Sequence, residues 1–367
     1  MISIELKRKI SDIAEDSIYN KHIARKAIED FIRKNSFNSY TRNEITDYFY
    51  QIVRYFGLYK KYGDINQQLI DEFIEKREYN EKFVADLLSI DDEIASLVAK
   101  DITKEHLLSL LKRAPLTIRV NFLKTTRDVL KLRFDFFEDT KVSPFGLFTD
   151  KHINVRQFNE FKKGEFEIQD EASQLIYFLV NPKPGDVILD ICAGTGGKSL
   201  HLLSTGLNVD LFAYDTNDNR LNMLKKRAKI AGVNIKNLSQ LKGKFQKVLI
   251  DAPCSGSGSL RRDVDTLFRI GRSKLNFLID LQRKIFEKGY YLTEKGGFIT
   301  YTTCSFFECE NEDQVNFFMD NYKLQLIDAK HFFDEKLLEK LNFDRYFKTS
   351  PIKFNMDTFF SAVFKVL

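Results

Sequence analysis

Over the first third of the chain, apolar residues recur at helical spacing. Ile23, Ala27, Ile28, Phe31 and Ile32 form one stripe. Ile45, Phe49, Ile52, Val53 and Phe56 form a second, and Phe83, Leu87 and Leu88 begin a third. Spacings of three and four residues put such positions on one helix face. Glycine is scarce here, and the first proline is Pro115. The pattern predicts a helical N-terminal domain over residues 1–112, with these stripes facing its core. From Pro115 the texture changes. LTIRVNFL alternates apolar and polar residues, which predicts a half-buried strand. A Phe-rich stretch broken by Gly146 and Gly164 follows, and residues 113–165 read as a small α+β subdomain. Beyond residue 166 short apolar runs alternate with helical stretches. DVILD (Asp186 to Asp190) leads into AGTGGKS, LFAYD ends at Asp215, KVLID ends at Asp251, and GGFITYTT ends just before Cys304. Helices are predicted over Leu221 to Ile230 and Leu275 to Leu292. This alternation predicts an α/β domain over 166–367, with a mostly parallel sheet covered by helices on both faces. Functional residues then belong at the carboxyl ends of the strands.

A chain of 367 residues with 43% hydrophobic residues buries a sizeable core without disulfides or metal. The net charge of +5 is only mildly basic, but its distribution is uneven. Lys112 to Arg133 holds seven basic residues and one acidic, Asp128, and Arg220 to Lys247 holds nine basic residues and no acidic ones. Such stretches either track a phosphate backbone or form solvated helix faces. The four cysteines, Cys192, Cys254, Cys304 and Cys309, contain no CxxC pair and no nearby His cluster, so no metal site is expected. The start, MISIELKRKI, lacks the apolar core of a signal peptide. No run approaches the roughly 18 apolar residues that a membrane span requires. A cytosolic chain with reduced thiols and no membrane partner is expected.

Strand, Gly-rich turn, helix, strand and acidic residue is the layout of a nucleotide or nucleoside binder. Gly194, Gly196 and Gly197 allow close backbone approach to a ligand, and Asp215, 21 residues after Gly194, suits a carboxylate that accepts ribose hydroxyls. Packing alone also explains Gly-rich turns. GGKS followed by KVLID has some likeness to a P-loop ATPase, but the glycine required five positions before its GK is Cys192. AGTGGKS does not match the dinucleotide G-x-G-x-x-G. The second constellation is DAPCSGSGSLRRD (Asp251 to Asp263) and YTTCS (Tyr301 to Ser305), each directly after a strand. Two cysteines, Cys254 and Cys304, thus sit at strand ends, with Asp251 three residues before the first. A lone cysteine is usually a small buried hydrophobe; a pair beside a Gly-rich turn suggests chemistry.

DICAGTGGKS, DAPCSGSGSLRR and YTTCSFFECENE, together with FEIQDEASQ, IRVNFLK and DTFFSAVF, make the chain similar to the Sun-type RNA cytosine-5 methyltransferases over residues 113–367. The helical N-terminus, best over Thr41 to Tyr59, more loosely resembles the antitermination-factor-type RNA-binding domain of the bacterial ribosomal RNA members. The resemblance implies a class I methyltransferase fold, Rossmann-like with a seven-stranded, mostly parallel sheet. It also implies S-adenosylmethionine as cofactor, RNA as partner (small-subunit ribosomal RNA, or transfer RNA) and a monomer. Cys304 is then the nucleophile toward carbon 6 of cytosine, and Cys254 assists product release. Asp251 holds the cytosine edge, and Lys198 points to the same site. Cys192, Ala193, Gly194, Thr195, Gly196, Gly197 and Lys198 line the cofactor, with Asp215 on its ribose and Asp251 at the junction. Arg261 and Arg262 are either phosphate or active-site ligands or a surface pair, Arg119 is among the basic residues expected to hold RNA, and Cys309 is packing. Relatives have Ala-Pro where this chain has Gly194 and Thr195, and an acidic adenine contact for which Asn237 is the nearest stand-in. These departures keep open a catalytically idle RNA-binding or ribosome-assembly factor.

Overall fold

The computed structural model describes residues 2–237, 240–341 and 343–367. Six helices of the N-terminal segment begin where a short polar side chain satisfies orphan backbone N–H groups. Ser3 caps Ile4–Tyr19, Asn38 caps Ser39–Arg54, Asn66 caps Gln67–Glu75, Asn80 caps Glu81–Leu88, Asp91 caps Asp92–Asp101 and Thr103 caps Lys104–Leu110. The stripe Ile45, Phe49, Ile52, Val53 and Phe56 is buried, with Ile10, Ala14 and Ile28 packed against it. Ile23 departs from the sequence expectation. It precedes the first residue of Ala24–Lys34 and stays 48% exposed, because the helix does not extend back to it.

The chain divides into two units, Met1–Arg113 with Ser255–Asn276 and Ala114–Cys254 with Phe277–Leu367. In the first unit, Val264 and Phe268 join the helical core, and Phe268 meets Phe56 edge-on at 6.0 Å. Asp265 accepts the backbone N–H of Ala24 at 3.2 Å. Arg261 is 3% exposed and donates to the carbonyls of Arg113 at 2.7 Å and Lys112 at 3.4 Å. Its guanidinium is a brace within this unit rather than a surface ligand.

The second unit holds two sheets. The smaller comprises β1 (Leu116–Val120), β2 (Glu138–Asp139), β3 (Gly146–Thr149) and β4 (Phe166–Ile168), all antiparallel in the order β2-β3-β1-β4. β1 was expected to be half-buried, yet Thr117 and Arg119 are buried along with Ile118 and Val120, since both of its faces are covered. The larger sheet comprises β5 (Val187–Asp190), β6 (Asp210–Ala213), β7 (Lys236–Asn237), β8 (Phe245–Asp251), β9 (Thr293–Thr303), β10 (Leu324–Ile327), β11 (Phe347–Lys348) and β12 (Phe360–Val366). Seven strands run β10-β12-β9-β8-β5-β6-β7, with the short β11 pairing on β12. Pairs from β9 through β7 are parallel, and β12 runs antiparallel to both neighbours. This is the Rossmann-like sheet of class I methyltransferases. Its two faces carry separate apolar cores, one around Leu175, Ile188 and Leu249, the other around Val248, Phe286, Ile299 and Phe318.

Phe286 and Phe318 stack in parallel with centroids 3.6 Å apart, and Phe364 closes edge-on at 5.3 Å from Phe286. Phe286→Ala should destabilise the protein by about 3–5 kcal/mol, read as a lowered urea midpoint; an unchanged midpoint would refute this packing. β5 ends in Asp190, which is 1% exposed. It accepts Ser199 Oγ at 2.6 Å, while its other oxygen lacks a partner. Burial, reinforced by the charge of Asp251, pushes its carboxyl up to about 7 against the counteracting Ser199 bond. The folded state therefore binds this proton more tightly than the unfolded chain. Its contribution to stability is fullest below the unfolded value near 3.8 and is lost as pH rises toward about 7. Asp190→Asn should flatten this trend: between pH 5 and 8 the melting temperature of the parent should fall further than that of the variant.

Candidate active site

Parallel neighbours in a sheet end side by side, and the catalytic candidates exploit this. β8 and β9 are in register at Asp251 and Thr302, and the N–H of Ala252 still donates to the Thr302 carbonyl at 2.9 Å. The chain then leaves both strands, and Cys254 and Cys304 come together with their sulfurs 3.3 Å apart. Both are half-buried, so each thiol remains within reach of a ligand. Lys198, 9% exposed, pairs its ammonium with Asp251 at 2.6 Å, and the same ammonium lies 5.2 Å from the Phe359 ring centre. Desolvation and the aromatic face both sharpen that ion pair. The Asp251 side chain is 35% exposed, leaving a carboxylate held by lysine on one side and open on the other. The structure thus brings Cys254, Cys304, Asp251 and Lys198 into one cluster.

Buried polar networks set the two cysteine loops. Gln282, in the helix Arg272–Leu292, donates to the Pro253 carbonyl and to Glu310, each at 3.0 Å. Gln314 donates to Gln282 at 2.8 Å and accepts from Arg283 at 2.9 Å. The residue before Cys254 is thereby tied to the turn after Cys304. Thr303 Oγ1 donates to Asn311 Oδ1 at 2.6 Å, and Asn311 Nδ2 donates to the Ser305 carbonyl at 3.0 Å. Sequence reasoning missed Gln282, Glu310 and Asn311 as site residues. Glu310 and Asn311 stood inside the quoted YTTCSFFECENE segment, and Gln282 interrupts the apolar face Leu275, Leu278 and Phe286 of its helix.

The Gly-rich turn lies at the end of β5. Gly194 and Gly196 have φ of +54° and +92°, values that L side chains rarely adopt. A Cβ on Gly196 would meet Leu224 at 2.8 Å, whereas beside Gly194 there is open space. Asp215 accepts the Gly194 N–H at 2.9 Å and the Asn217 N–H at 2.8 Å. Each carboxylate oxygen keeps capacity for a further donor. Ala193 is buried, and Gly197 opens the helix Gly197–Ser204 that carries Lys198. Burial and the charges of Asp190, Asp251 and Asp215 push the Cys192 thiol up, so it stays protonated and unreactive. An open backbone edge, a polar rim at Asp215 and a helix N-terminus fit a nucleoside-bearing cofactor. The side chain of Asn237 lies outside the described residues. Thr195 is held by Arg227, whose Nη1 donates to its carbonyl at 2.6 Å and its hydroxyl at 2.9 Å. Arg227 and its ion-pair partner Glu167, at 2.8 Å, were not anticipated.

The basic stretches are less available than the sequence suggested. Arg119 is 1% exposed and donates to Ser204 Oγ and, at 3.5 Å, to the Leu200 carbonyl, so it cannot contact RNA. Lys124 binds the carbonyls of Lys163 and Ile230, Arg133 pairs with Glu165, and Lys247 pairs with Asp186. Lys225, Lys226, Lys229 and Lys242 remain on the surface. Among the described residues, no group of three His, Cys, Asp or Glu is placed to hold a metal, and no helix is long and apolar enough to cross a membrane.

Known proteins match this chain in sequence and in fold. The ribosomal RNA small subunit methyltransferase B of Shewanella oneidensis is 30% identical over 263 residues, covering 68% of this chain and 60% of that protein. The protein of the same name from Vibrio vulnificus is 31% identical over 220 residues, covering 56% and 52%. The chain thus spans between half and two thirds of the length of these relatives. The crystal structure of PH0851 superposes with a TM-score of 0.76 at 24% identity over 99% of both chains. NSun6 from Pyrococcus horikoshii with SFG superposes at 0.64 with 18% identity, over 79% of this chain and 98% of that one; both share the fold. Residues 177–365 match the family described as 16S rRNA methyltransferase RsmB/F, and with half of its length so matched the chain belongs to that family.

Proposed function

We propose that this protein transfers a methyl group from S-adenosylmethionine to carbon 5 of a cytosine in RNA, with small-subunit ribosomal RNA as the substrate class. The observation that carries this reading is the pair of thiols 3.3 Å apart beside the Lys198–Asp251 ion pair. Carbon 5 of cytosine is a poor nucleophile. Addition of the Cys304 thiolate to carbon 6 forms a carbon–sulfur bond and leaves enamine character at carbon 5. Asp251, backed by Lys198, faces the ring edge and stabilises the charge that develops at its nitrogen. S-adenosylmethionine would supply the methyl group as a sulfonium electrophile, and Cys192 to Lys198 along the Gly-rich turn, with Asp215 for its ribose, are the residues that would hold it. Cys254, as thiolate, accepts the carbon-5 proton; the electron pair of that C–H bond restores the ring double bond as the carbon–sulfur bond breaks, and Cys304 leaves as thiolate. The 3.3 Å between the two sulfurs supports this role in release. Sulfur suits a residue that must both attack and depart.

The target base must leave its stack to reach thiols at strand ends, so single-stranded or loop RNA is the natural substrate. The exposed lysines of Asp218–Ala231 supply positive charge for the phosphates of such a strand. Cysteines that form no disulfide suit a reducing cytosol.

Cys304→Ala should reduce methyl transfer to ribosomal RNA below detection. Cys254→Ala should retain attack but stall release, giving a covalent protein–RNA adduct that survives a denaturing gel. Bisulfite sequencing of RNA from a deletion strain should show one cytosine losing its mark. Full activity in Cys304→Ala would exclude the mechanism.

A further inference from the structure

The Gly-rich turn is braced from outside by a charged strut that the reaction itself does not require. Thr195 sits between two glycines of positive φ, where backbone freedom is large. Arg227, in the helix Asp218–Ala231, spends Nη1 on both oxygens of Thr195 and its other nitrogens on Glu167, Nη2 at 2.8 Å and Nε at 3.4 Å. Glu167 lies on β4 opposite Arg119 of β1 in register. Arg119 in turn reaches Leu200 and Ser204 in the helix that follows the turn. Side chains from three separate elements thus hold the turn at its tip and the helix behind it. An ion pair serving only to join the helix to the small sheet would need Glu167 alone. It would not need the same guanidinium aimed at a carbonyl and a hydroxyl of Thr195.

We propose that Arg227, oriented by Glu167, is a positioning residue that pre-forms the cofactor turn, and that Thr195 is its handle. The inference rests on the reading of that turn as the S-adenosylmethionine site. A turn that samples several conformations binds its ligand more weakly, in proportion to the fraction of time it spends in the competent one. The strut raises that fraction. Arg227 touches no reacting atom; its effect reaches the chemistry through the backbone of Gly194 to Gly196. It also makes the small sheet part of the cofactor site, because Glu167 belongs to β4.

Calorimetry with S-adenosylhomocysteine on the full chain tests this, with thermal melting measured alongside. Arg227→Ala should weaken binding by about tenfold or more, the order expected for lost charge-assisted hydrogen bonds. Arg227→Lys, which keeps one donor and the charge, should recover part of the loss. Thr195→Val, which removes only the hydroxyl handle, should weaken binding a few-fold at an unchanged melting temperature. Glu167→Gln should fall between. In turnover, KM for S-adenosylmethionine should rise more than kcat falls. Should Arg227→Ala fail to fold, Thr195→Val and Glu167→Gln decide the question. Binding by these variants within about twofold of the parent, or a lowered melting temperature with unchanged affinity, would overturn the strut. Absence of binding by the parent chain would instead overturn the reading of the turn as the cofactor site.

Discussion

Two adjacent parallel strands must end about 4.8 Å apart, and that spacing governs the candidate site. Because β8 and β9 are in register at Asp251 and Thr302, whatever the chain places two or three residues further on is delivered to one small volume. Cys254 and Cys304 are those residues. Thiols on separate loops would pay conformational entropy for such proximity. Here the ladder hydrogen bonds of the sheet have already ordered both approaches, and the sulfurs come to 3.3 Å. Asp251, still on the strand, cannot stray from this point, and Lys198 reaches it from the helix after the Gly-rich turn.

Order at the strand ends has to be continued into the loops, and buried side-chain hydrogen bonds do this. The chain from the Pro253 carbonyl through Gln282 to Glu310, with Gln314 behind it, joins the loop of one cysteine to that of the other. Thr303, Asn311 and Ser305 close the second loop on itself. Networks of this kind are costly when incomplete and rigid when complete. They hold polar groups without using the catalytic candidates themselves, which leaves the thiols and the exposed side of Asp251 for substrate.

The cofactor side follows a different logic. Gly194 leaves open space beside the backbone and Gly196 makes room for Leu224, and flexibility is the cost. Asp215 offsets part of it by accepting the Gly194 N–H, and Arg227 by holding Thr195. Asp190, buried at the end of β5 with a carboxyl raised to about 7, places a pH-sensitive element beneath the turn. Burial, with the charges of Asp190, Asp251 and Asp215, also pushes the Cys192 thiol up.

Local pattern alone determined a good deal here. The helical stripes, the strand–turn–helix rhythm, the Gly-rich turn and the position of each cysteine directly after a strand are all properties of neighbouring residues. Side-chain period and turn chemistry are local physics. Only the tertiary structure decided which charged residues face solvent. In sequence Arg119 reads as one of a run of basic residues that could hold RNA, and Arg261 as a phosphate ligand or half of a surface pair. In the fold their partners are carbonyls and hydroxyls contributed by distant segments, Leu200 and Ser204 for one, Lys112 and Arg113 for the other. Likewise nothing near Gln282 in sequence announces that it will meet Pro253, or that Arg227 will find Thr195. Desolvation and hydrogen-bond partnership depend on what packs across tens of residues, and a linear pattern carries no record of that until the sheet has formed.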